Sequence, residues 1–414
     1  MGSILGYAMP AIPQRTRPFT LVWLLVAGLF LTACSESASP VVRSHDAYIW
    51  QRQWTPALKS AMMESASRIR AWHVLAAETD AVGRLSVFAP GKEMLHNGKP
   101  VVLVVRFNHA LSATEWDPLI VGIADLLGKW RRADPPVIGL EIDYDAPTAQ
   151  LREYAHFLAE LRPVLDKNVR ITLTALPAWL RSPILLEVLQ QADEAVLQVH
   201  AVANPRLGLF NRQQALRWIE EFAAETPVPF RVALPTYGSR VGWDETGKVV
   251  VVESETALPG RGVVERELSA DPREVRGLLD DLARKTIPLL LGPIWFRLPT
   301  DDDRRAWSLA TWHGVIDGAP LEPRLGVRAV MDEASGASDI RIANDGNLDA
   351  ALPNEVFVQC GSCQEADALE GYLLQRVEKG FYLRLSQPQP LKAKQQRTIA
   401  WVRCAVEKVG FHAP

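Results

Sequence analysis

Short β-branched segments alternate with amphipathic segments along most of this chain, and this alternation constrains the fold more than any other feature. Runs rich in Val, Ile and aromatic residues are typical of strands, and apolar residues three and four positions apart are typical of helices. The predicted strands are 47–54, 70–76, 101–108, 137–145, 170–176, 195–200, 230–237 and 288–297. The predicted helices are 56–67, 112–132, 148–165, 183–191, 212–224, 271–285 and 302–315. This alternation predicts an α/β fold, a (β/α)8 barrel of the TIM type, over residues 45–320.

Three other regions depart from the alternation. Residues 79–99 predict an extra strand at 84–88 and a loop, in place of a helix. Residues 248–253 and 262–267 predict a hairpin inserted between the seventh strand and its helix. After residue 320, short alternating runs are separated by Gly, Asn, Asp and Pro, at 327–330, 339–343, 355–359, 382–386 and 398–402. These runs predict a small antiparallel β-sandwich-like module over residues 321–414.

The N-terminal segment has the composition of an export signal. Arg15 and Arg17 precede an uncharged apolar run over residues 19–33, which is shorter than the about 20 residues that a membrane-spanning helix needs. We therefore expect a signal peptide over residues 1–33 and a polar tether over residues 34–44. An uncleaved anchor is the alternative, and Met9 is an alternative translation start to Met1.

The apolar run ends in Leu31-Thr-Ala-Cys34, which resembles the lipobox of bacterial lipoproteins. This resemblance implies that Cys34 becomes the lipidated first residue of the mature chain and anchors the protein to a membrane. Ser35 after the cysteine implies sorting to the outer membrane. We therefore expect a lipid-anchored protein of the cell envelope, held at the outer membrane and facing the periplasm.

The other cysteines, Cys360, Cys363 and Cys404, all lie in the last quarter of the chain. An exported protein reaches an oxidising compartment, where one disulfide and one spare thiol are expected. Which two of the three residues pair stays open. Cys360-Gly-Ser-Cys363 is also a CxxC motif, but neither a second pair nor a nearby His completes a zinc site in the sequence. No metal and no cofactor are predicted.

Composition excludes several classes of function. The chain has 414 residues, is 48% hydrophobic and 22% charged, and has a net charge of −3. These values are typical of a folded globular protein and argue against a broad basic surface for nucleic acid. The sequence contains no phosphate-binding loop, no His-Glu-x-x-His zinc motif and no Gly-x-Ser-x-Gly elbow. Nothing in it indicates an oligomeric state.

The fourth predicted strand, which spans 137–145, carries three acids at alternate positions. Side chains alternate between the two faces of a strand, so Glu141, Asp143 and Asp145 share one face and the intervening apolar residues share the other. In a barrel the apolar face packs against helices, so we expect the acids to point inward and to end at the C-terminal mouth, where such barrels hold active sites. Closely stacked acids do not all ionise, so at least one should keep its proton near neutral pH, as a general acid requires. The alternative is a solvated acidic loop, with or without bound Ca²⁺.

Other side chains at predicted strand ends are candidates for binding a ligand at this mouth. Alternation places Arg106 with Asn108 on the third strand, and Gln198 with His200 on the sixth. Large aromatic rings stack on flat apolar faces, including those of sugars, although each ring taken singly is also a candidate for the core. The remaining predicted binding residues are Trp50, Tyr237, Trp295 and Arg297, with Trp54 and Trp179 as further stacking candidates.

Two segments resemble a known enzyme family. Gly139-Leu-Glu-Ile-Asp-Tyr-Asp145 resembles the fourth-strand signature of the chitinase-like family 18 glycoside hydrolases, which runs Gly, apolar, Asp, apolar, Asp, aromatic, Glu. Leu234-Pro-Thr-Tyr-Gly238 resembles the Pro-x-Tyr-Gly segment of that family, and Trp295 matches its eighth-strand Trp. The resemblance covers about residues 45–316 and implies a glycosidase that acts on an oligo- or polysaccharide without a cofactor. The whole chain also resembles a bacterial lipoprotein family of unknown function.

The resemblance also implies roles for the three acids. Asp145 would be the general acid, Asp143 would orient the N-acetyl group of the substrate, and Glu141 would tune Asp143 by sharing a proton. The 2-acetamido oxygen of the substrate would act as the nucleophile.

The sequence also departs from the family pattern. Asp145 stands where the family has Glu, Glu141 stands where it has Asp, and Gln198-Val-His200 stands where it has a Tyr-Asp type pair. A displacement of about 1 Å at a catalytic group can cost on the order of 10²-fold in rate. A non-catalytic glycan-binding or envelope-organising lipoprotein therefore stays open as an alternative, as does a metal-dependent site built from the acids and His200.

Overall fold

Eight parallel strands close into a barrel in the computed structural model, which describes residues 43–80, 83–91, 98–109, 116–132, 136–200, 208–253, 264–333, 335–361, 363 and 365–411. The barrel strands are β1 (Asp46–Ile49), β2 (Trp72–Thr79), β4 (Val101–Phe107), β5 (Val137–Tyr144), β6 (Arg170–Ala175), β7 (Glu194–Gln198), β8 (Phe230–Pro235) and β12 (Leu290–Phe296). Each strand pairs with its neighbours in chain order, and β1 pairs with both β2 and β12, which closes the cylinder. The short strand β3 (Leu85–Val87) pairs antiparallel with the end of β2. The prediction of a (β/α)8 barrel is confirmed. The predicted signal peptide, Cys34 and most of the tether lie outside the described residues.

Helices follow the barrel strands along the chain. They are α1 (Pro56–Ser65), α2 (Trp116–Arg132), α3 (Leu151–Leu161), α4 (Leu185–Leu189), α5 (Arg212–Glu225), α6 (Pro272–Arg284) and α7 (Leu309–Asp317). Short 3-10 turns cover Thr148–Gln150, Arg162–Val164 and Pro177–Arg181. Several helices begin where sequence chemistry favours it, since the side chains of Thr55, Asn211, Asp271 and Ser308 each accept a hydrogen bond from the first helical turn. None of the described helices is long and apolar enough to cross a membrane.

The predicted helix over 302–315 is wrong in its first half. α7 begins only at Leu309, with Ser308 as its N-cap. The side chain of Asp303 accepts hydrogen bonds from the backbone N–H groups of Arg305 and Ala306, which stabilises a turn in place of a helix.

The barrel strands are buried on both faces, and the two faces differ in chemistry. Outward-pointing residues, including Leu140, Ile142 and Tyr144 of β5, belong to one large apolar core that also contains the helices. Inward-pointing apolar residues form a small separate cluster of Tyr48, Trp50, Leu75, Val104, Val196, Ala233 and Ile294. Because side chains alternate along β5, its acids point to the inside of the barrel.

A small sheet is inserted after β8. It consists of β9 (Gly238–Trp243), β10 (Val249–Glu253) and β11 (Val264–Ser269), in the order β10-β9-β11. The predicted hairpin between the last two strands is therefore wrong, because each pairs antiparallel with β9 and not with the other. β9 begins just after β8 and offers both of its edges to the strands that follow.

The C-terminal residues form antiparallel sheets. Their strands are β13 (Leu325–Asp332), β14 (Ala337–Asn344), β15 (Ala350–Ala351), β16 (Glu355–Cys360), β17 (Ala366–Ala368), β18 (Tyr372–Val377), β19 (Gly380–Leu385), β20 (Pro390–Leu391), β21 (Gln396–Val402) and β22 (Val406–Phe411). Two four-stranded sheets, ordered β13-β14-β21-β17 and β18-β19-β16-β22, share one apolar core. A disulfide joins Cys363 to Cys404, and Cys360 is a buried free thiol.

Asp349 attaches this β module to the barrel. One of its carboxylate oxygens accepts a hydrogen bond from the backbone N–H of Ser308 (2.8 Å), and the other accepts from the N–H of Ala393 (2.7 Å). The N–H of Asp349 donates to the hydroxyl of Thr311 (3.0 Å). The hydrogen bonds of Asp349 to Ser308 and Thr311 are partly buried, and they connect the first turn of α7 to the module.

Candidate active site

The three acids of β5 form a column from the barrel interior to its mouth. Glu141 is fully buried and Asp143 is 4% exposed, whereas the side chain of Asp145 is 43% exposed. All three lie on the inward face, as strand alternation predicts. Access to solvent therefore increases step by step toward the C-terminal end of the strand.

Side chains from three other strands, β1, β2 and β6, contact the carboxylate of Glu141. The hydroxyls of Tyr48 and Thr174 donate hydrogen bonds to its Oε1 at 2.5 and 3.3 Å. Its Oε2 lies 2.5 Å from Nδ1 of His73. Burial and the charge of Glu141 raise the pKa of Tyr48 well above its ordinary value, so the phenol stays a donor. Both carboxylate oxygens of Glu141 are occupied, which leaves Glu141 out of reach of a substrate.

Beneath Glu141 the barrel interior contains further charged residues. Nε2 of His73 lies 3.4 Å from Oδ2 of Asp46, and Nε of Arg231 lies 2.9 Å from the same oxygen. Asp46 also pairs with Arg70, and Arg231 pairs with Glu194 at 3.1 Å.

Paired cations and acids shift the pKa values in this network. Burial alone would raise the pKa of Asp46, but the hydrogen bond and charge of His73, with Arg231 and Arg70, outweigh it and lower the pKa to about 2. Burial alone would lower the pKa of His73, but Glu141 and Asp46 raise it to about 9. The base of the barrel is therefore a network of ionised groups at neutral pH.

Asp143 is the acid in the column that favours its proton. Its Oδ2 accepts a hydrogen bond from Arg106 at 2.8 Å, while its Oδ1 is buried and has no hydrogen-bond partner among the described residues. Burial raises the pKa of Asp143 to about 6; Arg106 opposes this shift, and the charges of Asp145 and Glu141 add to it. Oδ1 can therefore carry a proton or accept a hydrogen bond from a ligand.

Arg106 links the middle of the column to its top. Its second guanidinium nitrogen donates to Oδ2 of Asp145 at 2.6 Å, so one cation bridges Asp143 and Asp145. The charge of Asp143, with that of Asp145, raises the pKa of Arg106 further above its ordinary value although burial opposes this. Asp145 thus stands at the mouth as an accessible carboxylate with one oxygen engaged.

Aromatic rings form the opposite side of the mouth. Phe296 at the end of β12 stacks on His200 at a centroid distance of 5.5 Å, and its edge contacts with Trp50 and Tyr237 are at 4.9 and 5.5 Å. The hydroxyl of Tyr237 lies 3.4 Å from Nδ1 of His200. Burial lowers the pKa of His200 to about 4 and raises that of Tyr237 to about 12, so both are neutral near pH 7. The wall is apolar and aromatic, with two uncharged polar groups.

The prediction that Trp295 lines the mouth is wrong. Trp295 is fully buried on the outer face of β12, where its Nε1 donates to His45 at 3.0 Å and its ring packs edge-on against Trp307 and Trp312. Within β12 it is Ile294 and Phe296 that point inward, so alternation turns the residue between them outward.

Arg297 and Asn108 are tied to the protein itself. Arg297 is buried and pairs with Asp303, where its Nε lies 3.1 Å from Oδ2, and not with an acid of the column. Asn108 is exposed, and its amide donates to the backbone oxygen of Thr79, which links the ends of β4 and β2.

Two more of the predicted site residues, Gln198 and Trp179, lie in different parts of the barrel. Gln198 is half-buried at the end of β7, two residues after the inward-pointing Val196. Trp179 belongs to the outer apolar core, where its Nε1 donates to the backbone oxygen of Ala146, so it forms no floor for a ligand.

Sequence reasoning missed the polar base of the barrel, which consists of Asp46, His73, Glu194 and Arg231 together with the neutral phenol of Tyr48. Each of them lies within, or one residue from, a predicted apolar strand. Tyr48 shares strand parity with Trp50, and Glu194 shares it with Gln198 and His200. The available signal was that these polar residues have the same strand parity as the predicted site residues, which predicts that they point into the barrel.

The metal-dependent alternative gains no support from the described residues. The one group of three potential ligand side chains that they bring together is Cys360, Cys363 and Cys404, and two of these form the disulfide. The acids of the column with His200 do not form such a group.

Comparison with protein families assigns two parts of the chain. Residues 97–301 match the family described as Domain of unknown function (DUF3142). Residues 327–405, within the β module, match Domain of unknown function (DUF8456). No curated protein matches the chain.

Solved structures resemble this chain in fold. The spore cortex-lytic enzyme SleL of Bacillus megaterium QM B1551 is 13% identical, with a TM-score of 0.50 over 69% of this chain and 76% of that one. SleL of Bacillus cereus is 13% identical, with a TM-score of 0.49 over 68% and 75%. A chitinase from Chromobacterium violaceum ATCC 12472 is 14% identical, with a TM-score of 0.44 over 63% and 96%. The likeness to the enzyme of Bacillus megaterium QM B1551 supports the predicted (β/α)8 barrel at the level of the fold.

Proposed function

We propose that this protein is an envelope-anchored glycoside hydrolase that acts on an extracytoplasmic glycan containing N-acetylated amino sugars. One observation carries the proposal: an accessible carboxylate, Asp145, lies directly above the buried acid Asp143, whose pKa is raised to about 6. An acid and an acceptor arranged on one face at a barrel mouth are what hydrolysis assisted by a 2-acetamido group needs. The fold likeness to SleL and the chitinases supports the substrate class.

In this proposal Asp145 takes up a proton from solvent once the substrate has separated it from Arg106, gives that proton to the leaving oxygen, and then accepts a proton from the water that completes hydrolysis. Asp143 holds the acetamido group through its free Oδ1. Phe296, Tyr237 and Trp50 offer ring faces and edges to the sugar. His200 is neutral and serves as a hydrogen-bonding group, not as a charged one. Glu141 takes no part in contact with the substrate, because Tyr48 and His73 occupy its oxygens.

One contact favours the alternative of a glycan-binding protein without catalysis. Arg106 donates a hydrogen bond to Asp145 at 2.6 Å. This ion pair stabilises the ionised form of Asp145, which has no proton to donate until the pair opens. Catalysis therefore requires the substrate to separate Asp145 from Arg106. A ligand that leaves the pair closed would be bound and not cleaved.

The test uses purified protein with chitooligosaccharides and with peptidoglycan glycan strands, and mass spectrometry of the products. We expect cleavage by the wild type and a loss of about 10²-fold or more in Asp145→Asn, the magnitude typical of a missing general acid. Asp125→Asn, an exposed acid on α2, is the matched control and should cleave like the wild type. Equal rates for Asp145→Asn and the wild type would remove Asp145 from the mechanism.

Calorimetry on the same oligosaccharides separates the two candidates. Heat of binding without any product after long incubation would support the glycan-binding protein. Neither binding nor product with any amino-sugar glycan would reject both. Product formation that Asp145→Asn abolishes would reject the glycan-binding alternative.

The envelope part of the proposal rests on Cys34 and the apolar run before it. We expect Cys34→Ser to move the protein from the membrane fraction to the soluble periplasmic fraction. A protein that stays in the membrane fraction after this substitution is held there by an uncleaved anchor instead of a lipid.

A further inference from the structure

His73 lies between two buried carboxylates at the base of the acidic column, and both of its ring nitrogens face an acid. Nδ1 lies 2.5 Å from Oε2 of Glu141, and Nε2, which makes no hydrogen bond among the described residues, lies 3.4 Å from Oδ2 of Asp46. A neutral imidazole donates from only one nitrogen, whereas an imidazolium donates from both. A neutral ring would therefore leave one buried carboxylate facing a lone pair. The geometry favours the imidazolium.

Charge balance supports the same state. The described charged groups that face this part of the interior come from β1, the segment just before β2, and strands β2, β4, β5, β6, β7 and β8. The acids are Asp46, Glu141, Asp143, Asp145 and Glu194, and the cations are Arg70, Arg106, Arg170, Arg231 and His73 when it is charged. Tyr48 also faces the acids and stays neutral, because its pKa is raised well above the ordinary value. With five acids and five cations, the network is uncharged when His73 is an imidazolium.

Contacts decide which acid takes up a proton first as the pH falls. Asp46 faces Arg70, Arg231 and His73, and Glu194 faces Arg231. Asp145 is exposed and pairs with Arg106.

Two acids of the column then remain. Glu141 has both oxygens occupied by donors from Tyr48, Thr174 and His73. Asp143 has a buried oxygen without a partner among the described residues.

We propose that His73 is a positioning residue: as an imidazolium it keeps Glu141 ionised and thereby directs the first proton that the acidic column takes up to Asp143. This replaces the sequence-based expectation that Glu141 and Asp143 share the proton. Burial raises the pKa of Asp143 to about 6, and the ionised Glu141 is among the charges that add to this shift. A protonated Asp143 presents a ligand with a donor and an acceptor, whereas the ionised group only accepts.

The protonation states inferred here do not depend on the proposed function. Only their consequence for the substrate rests on it, because the proposed function assigns Asp143 to the acetamido group. The test of these protonation states needs no turnover. Infrared spectroscopy detects the C=O stretch of a protonated carboxyl, and at about pH 6 exposed carboxyls are ionised because their ordinary pKa values are about 4. A band from a buried acid is therefore visible in the folded protein.

The decisive comparison is made in Asp143→Asn. We expect the carboxyl band of the wild type to disappear in this variant. We expect it to return when His73→Gln is added, because Glu141 then faces no cation and takes up a proton. His156→Gln, which alters an exposed histidine on α3, is the matched control and should bring back no band.

Two spectra would overturn the proposal. A band that persists in Asp143→Asn alone places the proton on another acid, and no band in His73→Gln/Asp143→Asn means that His73 does not hold Glu141 ionised. If the variants fail to fold, ¹⁵N NMR of the wild type decides the matter. It should show both ring nitrogens of His73 protonated at about pH 8, and a neutral ring there rejects the inference. Absence of glycan cleavage would reject the proposed function and leave these results unaffected.

Discussion

Replacing Asp46 by asparagine should destabilise the barrel by about 2 to 5 kcal/mol. Asp46 is fully buried and faces Arg231 at 2.9 Å and His73 at 3.4 Å. The fall of its pKa from 3.8 to about 2 corresponds to about 2 kcal/mol of stability. Removing one partner of a buried ion pair costs about 3–5 kcal/mol, because the remaining charge stays buried. The two estimates bound the expected loss.

The stability that Asp46 contributes decreases at low pH. The pKa of Asp46 is lower in the folded protein than in the unfolded chain, so its stabilising effect is present above about pH 4 and is lost as the pH falls through about 2. We therefore expect a constant difference between the wild type and Asp46→Asn from about pH 5 to pH 6.5; above this pH the titration of His73, whose pKa Asp46 helps to raise to about 9, also changes the difference. The difference should shrink below about pH 4.

Urea unfolding measured by far-ultraviolet circular dichroism is a suitable assay, because the described helices all belong to the barrel. Asp166→Asn is the matched control, since that side chain is 47% exposed and pairs with Arg131 at the surface. We expect its midpoint to stay at the wild-type value. Identical midpoints for Asp46→Asn and the wild type would refute the view that this network holds the barrel together.

Two more predictions concern the module and the mouth. Cys363 and Cys404 are 41 residues apart, and reduction of their disulfide should lower the stability of the β module by about 4 kcal/mol. Hydrogen exchange with and without reductant measures this loss, and unchanged exchange would contradict it. His200 has its pKa lowered from 6.5 to about 4, so the unfolded chain binds a proton first as the pH falls through this window. The wild type should therefore lose about 3 kcal/mol relative to His200→Phe between about pH 6.5 and pH 4, and parallel thermal-unfolding curves for the two proteins would rule this out.

Much of the barrel could be predicted because its strands are buried on both faces and leave continuous β-branched runs in the sequence. The inward direction of Glu141 and Asp143 followed from the same pattern, since apolar residues alternate with them. The direction of the eighth strand did not follow. Trp295 and Phe296 are both aromatic, and β12 contains a register irregularity between Leu290 and Gly292 that sequence does not reveal.

The base of the site depended on contacts that sequence distance hides. His73 and Glu141 are 68 residues apart, and Arg231 and Glu194 are 37 apart. Each residue alone reads as a polar interruption of an apolar strand. Only the closed barrel shows that they neutralise one another.

The outward position of Trp295 determines what an optical binding experiment can detect. Trp295, Trp307 and Trp312 are packed together away from the mouth, and their emission should hardly respond to a bound sugar. Trp50 is the ring in contact with Phe296 at the opening, and it is one of 13 tryptophans in the chain. Saturating ligand should therefore quench a small fraction of the total fluorescence, and the difference between the wild type and Trp50→Phe isolates that fraction.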